Sequence, residues 1–113
     1  SSVGDPEKIA TLVRQAVELG ADIIKVDPCE PMERFSEIVE IADPIPVLVR
    51  GGGKVTTREL LERTRVAIDV GARGVVYGRN VVQHAHPETL IAALAAIVHD
   101  DASLKDALAL VKE

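Results

Sequence analysis

The chain has 113 residues, a hydrophobic fraction of 47% and a formal net charge of -5, which bounds it to one folded domain or a piece of one and excludes a disordered tail. No apolar run reaches membrane-spanning length, Lys and Arg are scattered rather than clustered as on a nucleic-acid surface, and the only aromatic residues, Phe35 and Tyr77, offer no stacking platform for bases. The single cysteine, Cys29, permits neither an internal disulfide nor a zinc cage, so a reducing cytoplasm is expected and Cys29 is read as inert.

Asp5-Pro6 supplies an N-cap and a first-turn proline, and Ile9, Leu12, Val13, Ala16 and Val17 recur at helical spacing up to Gly20. The run 22–26 follows as a buried strand, then Asp27-Pro28-Cys29-Glu30. Pro31 opens a second helix with Phe35, Ile38, Val39 and Ala42 on one face, which Asp43-Pro44 stops. Residues 45–49 form the next strand, with Pro46 tolerable only near its start. Arg50-Gly51-Gly52-Gly53-Lys54 leads to a third helix, for which Thr56 and Glu59 make a capping box. Its inner stripe is Leu60, Leu61, Thr64, Ala67 and Ile68, and Gly71 closes it in the left-handed conformation. A third strand over 74–77 precedes Gly78-Arg79-Asn80 and a short segment 81–84. Pro87 opens a fourth helix to about His99, and Ser103 caps a last helix at about 103–112 carrying Leu104, Ala107, Leu108 and Val111.

This order, strand and helix repeated three times, is the grammar of a parallel α/β fold. Ala16-Val17-Glu18-Leu19-Gly20-Ala21 is echoed by Ala67-Ile68-Asp69-Val70-Gly71-Ala72, so the unit is helix, tight turn, strand. The repeat aligns Lys25 with Val76 and predicts that both face the same way, in one layer of side chains, if it is also the sheet register. The helix-to-strand turns are plain. The strand-to-helix turns hold the glycines, Arg50, Lys54, Arg79, Asn80 and His84, at the end of the sheet where such folds bind ligands.

Lys25 is the anomaly within this pattern, an ammonium in a strand that reads as buried. Three readings stand: a strand-end lysine that reaches water, a cation that pairs with a phosphate, or a desolvated amine that attacks a carbonyl and forms a Schiff base. Arg50, Lys54 and Arg79 would favour the neutral amine, and Asp27 would oppose it. Gly51-Gly52-Gly53 likewise reads as a flexible turn or as a cradle in which backbone N–H groups and the following helix dipole meet a phosphate. Gly78 and Arg79 would supply a second set of donors and a cation. His84 and His86 have no third ligand, and His86 reads as a helix cap, so no metal is expected.

The motifs GADIIKV, PVLVRGGGK and GARGVVYGRNVVQHAHP, in this order over residues 5 to about 100, resemble the C-terminal part of the archaeal-type class I fructose-bisphosphate aldolases. These belong to the wider deoxyribose-phosphate aldolase superfamily of TIM (β/α)8 barrels. The resemblance implies that residues 1–113 are a single segment of such a barrel, strands six to eight, beginning partway through something larger. It implies Lys25 as the Schiff-base lysine of a cofactor-independent aldolase acting on a phosphorylated ketose such as fructose 1,6-bisphosphate. It also implies Gly51 and Gly52 in one phosphate turn and Gly78 and Arg79 in the next. Arg50, Gly53 and Val26-Asp27-Pro28 depart from the family pattern beside the substrate. Related activities, an aminodideoxyheptulosonate synthase or a thiolase-like enzyme, stay open. The rival is a noncatalytic partial barrel that binds phosphate, or is purely structural, and self-associates to cover an open sheet; a homo-oligomer is expected either way.

Overall fold

The computed structural model describes residues 4–51 and 53–112. These form helix α1 (Pro6–Glu18), strand β1 (Ile24–Val26), a 3-10 turn (Met32–Arg34), α2 (Phe35–Ala42), β2 (Val47–Arg50), α3 (Thr57–Asp69), β3 (Gly74–Val76), α4 (Arg79–Val82), α5 (Pro87–Asp100) and α6 (Leu104–Leu110). The strands are parallel and lie in the order β1-β2-β3. No helix among the described residues is long and apolar enough to cross a membrane.

Local chemistry sets most boundaries as expected. The Asp5 side chain accepts from the N–H of Glu7, Ser103 accepts from that of Asp106, and Gly20 and Gly71 turn out of their helices at φ 82 and 106°. Several boundaries differ: β1 starts at Ile24 rather than at residue 22, β3 stops at Val76 and the last helix at Leu110. Pro31 caps the 3-10 turn, and α2 starts only at Phe35. The β2 ladder starts at Val47 rather than at residue 45, because Pro44 and Pro46 have no N–H to give; the Pro46 carbonyl still accepts from Ile24 at 3.0 Å. The helical turn expected at 81–84 begins earlier, at Arg79.

The helices lie on one face of the sheet. Ile24, Val26, Val47 and Val49 pack there against Val13, Phe35, Ile38, Leu60, Leu61 and Ile97, all buried. A polar pair sits within this core. The Thr64 hydroxyl donates to the Leu60 carbonyl at 2.7 Å, so it accepts the hydroxyl of Tyr77 at 2.9 Å. Thr64→Val would strand the Tyr77 hydroxyl without a partner, at a cost of about 1–3 kcal/mol in urea unfolding. Adding Tyr77→Phe removes the orphan, and the double variant is expected to recover part of that loss.

Cys29 is 2% exposed and its thiol donates to the Pro31 carbonyl at 3.3 Å. Burial pushes its pKa up to about 11. The neutral thiol is therefore favoured in the folded state. Its stabilisation is complete below the thiol's unfolded value and is lost as the pH rises through about 11. Alkylation by iodoacetamide at pH 8 is expected to be about 100-fold slower in the native protein than in urea, from the thiolate fraction alone. Equal rates in the two conditions would contradict this burial.

Candidate active site

β1 alternates buried, exposed, buried. Ile24 and Val26 turn to the helices, so Lys25 faces the other side of the sheet. Its side chain is exposed, not buried as the sequence suggests, because three strands leave that face uncovered. Pairing sets Lys25 level with Leu48 and Gly74, and sets Arg50 level with Val76. Lys25 and Val76 thus share a face but not a layer. Val76 lies two positions nearer the carboxyl rim, about 6.6 Å at the rise of a strand. Parallel strands that coil towards closure are staggered, and a repeat in the sequence does not carry that stagger.

The rim holds a cavity of about 510 Å³. Lys25 and Asp27 line it from β1 and its end, Arg50 and Gly51 from β2 and its end, and Val76, Gly78 and Arg79 from β3 and the turn after it. The two strand-to-helix turns therefore open on the same space as the lysine. Arg50 Nε lies 3.3 Å from Asp27 Oδ1.

Two side chains hold the glycine turn against its neighbour. Arg63 on α3 donates to the Gly51 carbonyl at 3.0 Å. Asn80 on α4, only 6% exposed, accepts the Val55 N–H at 3.0 Å and directs its amide to the Gly53 carbonyl at 3.4 Å. A Cβ on Gly51 would lie 3.6 Å from Tyr77 Cα, which measures how closely the two turns approach. The sequence offers Asn80 as one polar residue among several, and nothing local marks Arg63. Both act on residues distant in the chain, where periodicity carries no signal.

Several expected members of the site are placed elsewhere. Gly53 and Lys54 do not line the Lys25 cavity, and Lys54 faces a separate one with Thr57, Asn80 and His84. Gly52 lies outside the described residues. The start of α3 is closed by its own capping box, with Glu59 N–H to Thr56 Oγ1 at 3.1 Å and Thr56 N–H to Glu59 Oε1 at 3.3 Å. That carboxylate occupies the end of the helix dipole, so the turn does not aim the dipole at a ligand as the sequence suggests. His84 Nδ1 accepts the His86 N–H at 2.8 Å, which leaves Nε2 protonated in the neutral ring and facing Thr57 Oγ1 at 3.1 Å. His86 stands at the N-cap position of α5 but its side chain makes no capping bond. Among the described residues no group of three or more His, Cys, Asp or Glu converges as metal ligands would.

Parallel strands with helices packed outside, and a lysine beside glycine turns at their carboxyl ends, define part of a TIM-barrel enzyme. The model of the DeoC/LacD family aldolases matches residues 1–84. The chain belongs to that family. It is 43% identical over 104 residues to a class 1 fructose-bisphosphate aldolase of Halobacterium salinarum, covering 92% of this chain and 40% of the relative. It is 44% identical over 105 residues to a 2-amino-3,7-dideoxy-D-threo-hept-6-ulosonate synthase of the same organism, covering 93% and 39%. A solved archaeal fructose-1,6-bisphosphate aldolase, with its catalytic lysine covalently bound to the carbinolamine intermediate of the substrate, superimposes with a TM-score of 0.80 at 35% identity, over 84% of this chain and 38% of that one. The chain spans about 40% of the length of the curated relatives it matches.

Proposed function

We propose that this chain carries the Schiff-base lysine and the phosphate turns of a class I aldolase acting on a phosphorylated ketose, such as fructose 1,6-bisphosphate, or a related carbonyl compound. The observation that supports this most directly is the single cavity lined by Lys25, Gly51, Gly78 and Arg79. In this reading the Lys25 amine adds to the ketone carbon, and loss of water from the carbinolamine leaves an iminium. The iminium accepts the electron pair of the neighbouring carbon-carbon bond as it breaks. A base takes the hydroxyl proton of the departing carbon, which leaves as an aldehyde. Protonation and hydrolysis of the enamine then return the free lysine. The iminium is the electron sink, so no cofactor is invoked.

The Gly51 end of the first turn, the Gly78 turn and the Arg79 guanidinium hold the phosphate in this reading. Residues 1–113 act as one segment of the barrel, in a cytoplasmic enzyme of carbohydrate metabolism. A heptulosonate synthase or a thiolase-like reaction would use the same lysine with a different acceptor.

Sodium borohydride added with dihydroxyacetone phosphate or fructose 1,6-bisphosphate tests the reading. A reduced adduct that peptide mass spectrometry maps to Lys25 is the expected result. An adduct confined to other lysines, or none on a folded chain, would sink it. The second reading, a noncatalytic phosphate-binding or structural segment that self-associates, is favoured by the sheet edges. Apolar cavities flank both β1 and β3, with Leu12 63% and Ile91 52% exposed beside them. It would be preferred if the chain is oligomeric and no adduct forms.

A further inference from the structure

Asp27 and Arg50 are not needed by the chemistry just described, yet they stand in its cavity. Their ion pair does little for stability. The two side chains are 54% and 59% exposed, and pairs of that kind contribute about 0–1 kcal/mol. A pair this weak is readily exchanged. Arg50 belongs to the same face of the sheet as Lys25 and lies one layer nearer the rim, above the amine rather than beside it.

The two arginines of the cavity come from different strand ends. Arg50 turns towards the end of β1, where Asp27 holds it, while Arg79 follows β3, the opposite edge strand of the sheet. Neighbouring strands are about 4.8 Å apart, so β1 and β3 are separated by about 10 Å. One anionic group on Arg79 leaves Arg50 free to take a second at the far side.

From this geometry we infer that Arg50 is a specificity-determining residue that binds a second anionic group of the ligand, and that Asp27 is its placeholder, released when that group arrives. The inference rests on the reading of this cavity as the ligand site, and it names a substrate class: phosphorylated carbonyl compounds with an acidic group at the end remote from the phosphate. The group that now holds Arg50 is a carboxylate, touching it through Nε alone at 3.3 Å, so a ligand carboxylate can replace it and gain a two-pronged contact with the guanidinium. Asp27 keeps Arg50 extended across the rim in the absence of ligand. It also sets a threshold, because a ligand with an uncharged far end gains nothing by displacing it.

A matched pair of probes with neither ketone nor aldehyde separates this from the lysine chemistry. 6-Phosphogluconate and glucitol 6-phosphate differ only in having a carboxylate or a hydroxymethyl group at the end remote from the phosphate. Calorimetric titration of the 113-residue chain is expected to show about a tenfold preference for the acid, the scale of one charge-assisted contact. Arg50→Ser should bring the ratio to about one, and Asp27→Asn, which frees Arg50, should raise it about threefold above wild type. A pair that served only to hold the rim together would shift both variants in the same direction or neither.

A preference that survives Arg50→Ser, a fall in Asp27→Asn, or equal binding of the two probes by the wild type would overturn the inference. Substituting fructose 1,6-bisphosphate for the acid shows whether a second phosphate serves as well as a carboxylate; an Arg50-dependent gain there supports the exchange with either group. If borohydride traps nothing on Lys25 but the ratios move as stated, the aldolase reading fails and the anion site stands. If Lys25 is trapped and the ratios do not move, only the present inference fails.

Discussion

Lys25→Met is expected to abolish the borohydride-trapped adduct and to lower carbon-carbon cleavage by on the order of 10³-fold or more, because no other group in the cavity can form an iminium. The variant should fold. Lys25 is exposed and makes no hydrogen bond or ion pair shorter than 4.0 Å among the described residues, so its loss orphans no buried partner. Circular dichroism and urea unfolding are expected to match the wild type within about 0.5 kcal/mol, as for other exposed positions. Lys25→Arg is the sharper control. It retains the positive charge, so a lysine that merely paired with phosphate would survive the change. A nucleophile would not, since a guanidinium stays protonated and does not add to carbonyls. Full cleavage activity in Lys25→Arg would refute the Schiff-base assignment.

Asn80→Leu is expected to cost about 1–3 kcal/mol, because it removes the acceptor of the Val55 N–H and the donor to the Gly53 carbonyl from a site only 6% exposed. The larger consequence lies in the glycine turn. With Asn80 gone, only Arg63 among the described side chains still ties that turn down, through Gly51, and the turn must be ordered when a phosphate binds. Phosphate affinity, read with inorganic phosphate by chemical-shift titration, should fall about tenfold. Asn80→Asp separates the two effects. It keeps the acceptor for Val55 and so recovers much of the stability. Its carboxylate replaces a donor facing the turn, and phosphate affinity should stay low. Recovery of both together would mean that Asn80 acts on stability alone.

Much of this was legible from residue order, because the signals are local. Asp5, Thr56 and Ser103 cap helices through bonds to residues two or three positions on, and Gly20 and Gly71 end helices by a backbone angle only glycine adopts freely. The lysine, the glycine turns and their order carried the family resemblance, and the match of residues 1–84 to the aldolase family model agrees with it. What failed was also physical. Glu59 was legible as a cap, but that its carboxylate then fills the end of the α3 dipole follows only from the three-dimensional arrangement. Lys25 read as buried because Ile24 and Val26 beside it are, and alternation along a strand cannot report which face lacks a cover.

By itself the sequence determined the elements, their parallel order and the face on which Lys25 stands, since side chains alternate with period two whatever the strand pairs with. The tertiary structure alone decided the level of each residue on that face, the meeting of Asp27 with Arg50 at 3.3 Å, and the fastening of the glycine turn by Asn80 and Arg63. Stagger between strands and contacts across tens of residues follow from how the helices pack the strands together, and no property of a short stretch of chain encodes them.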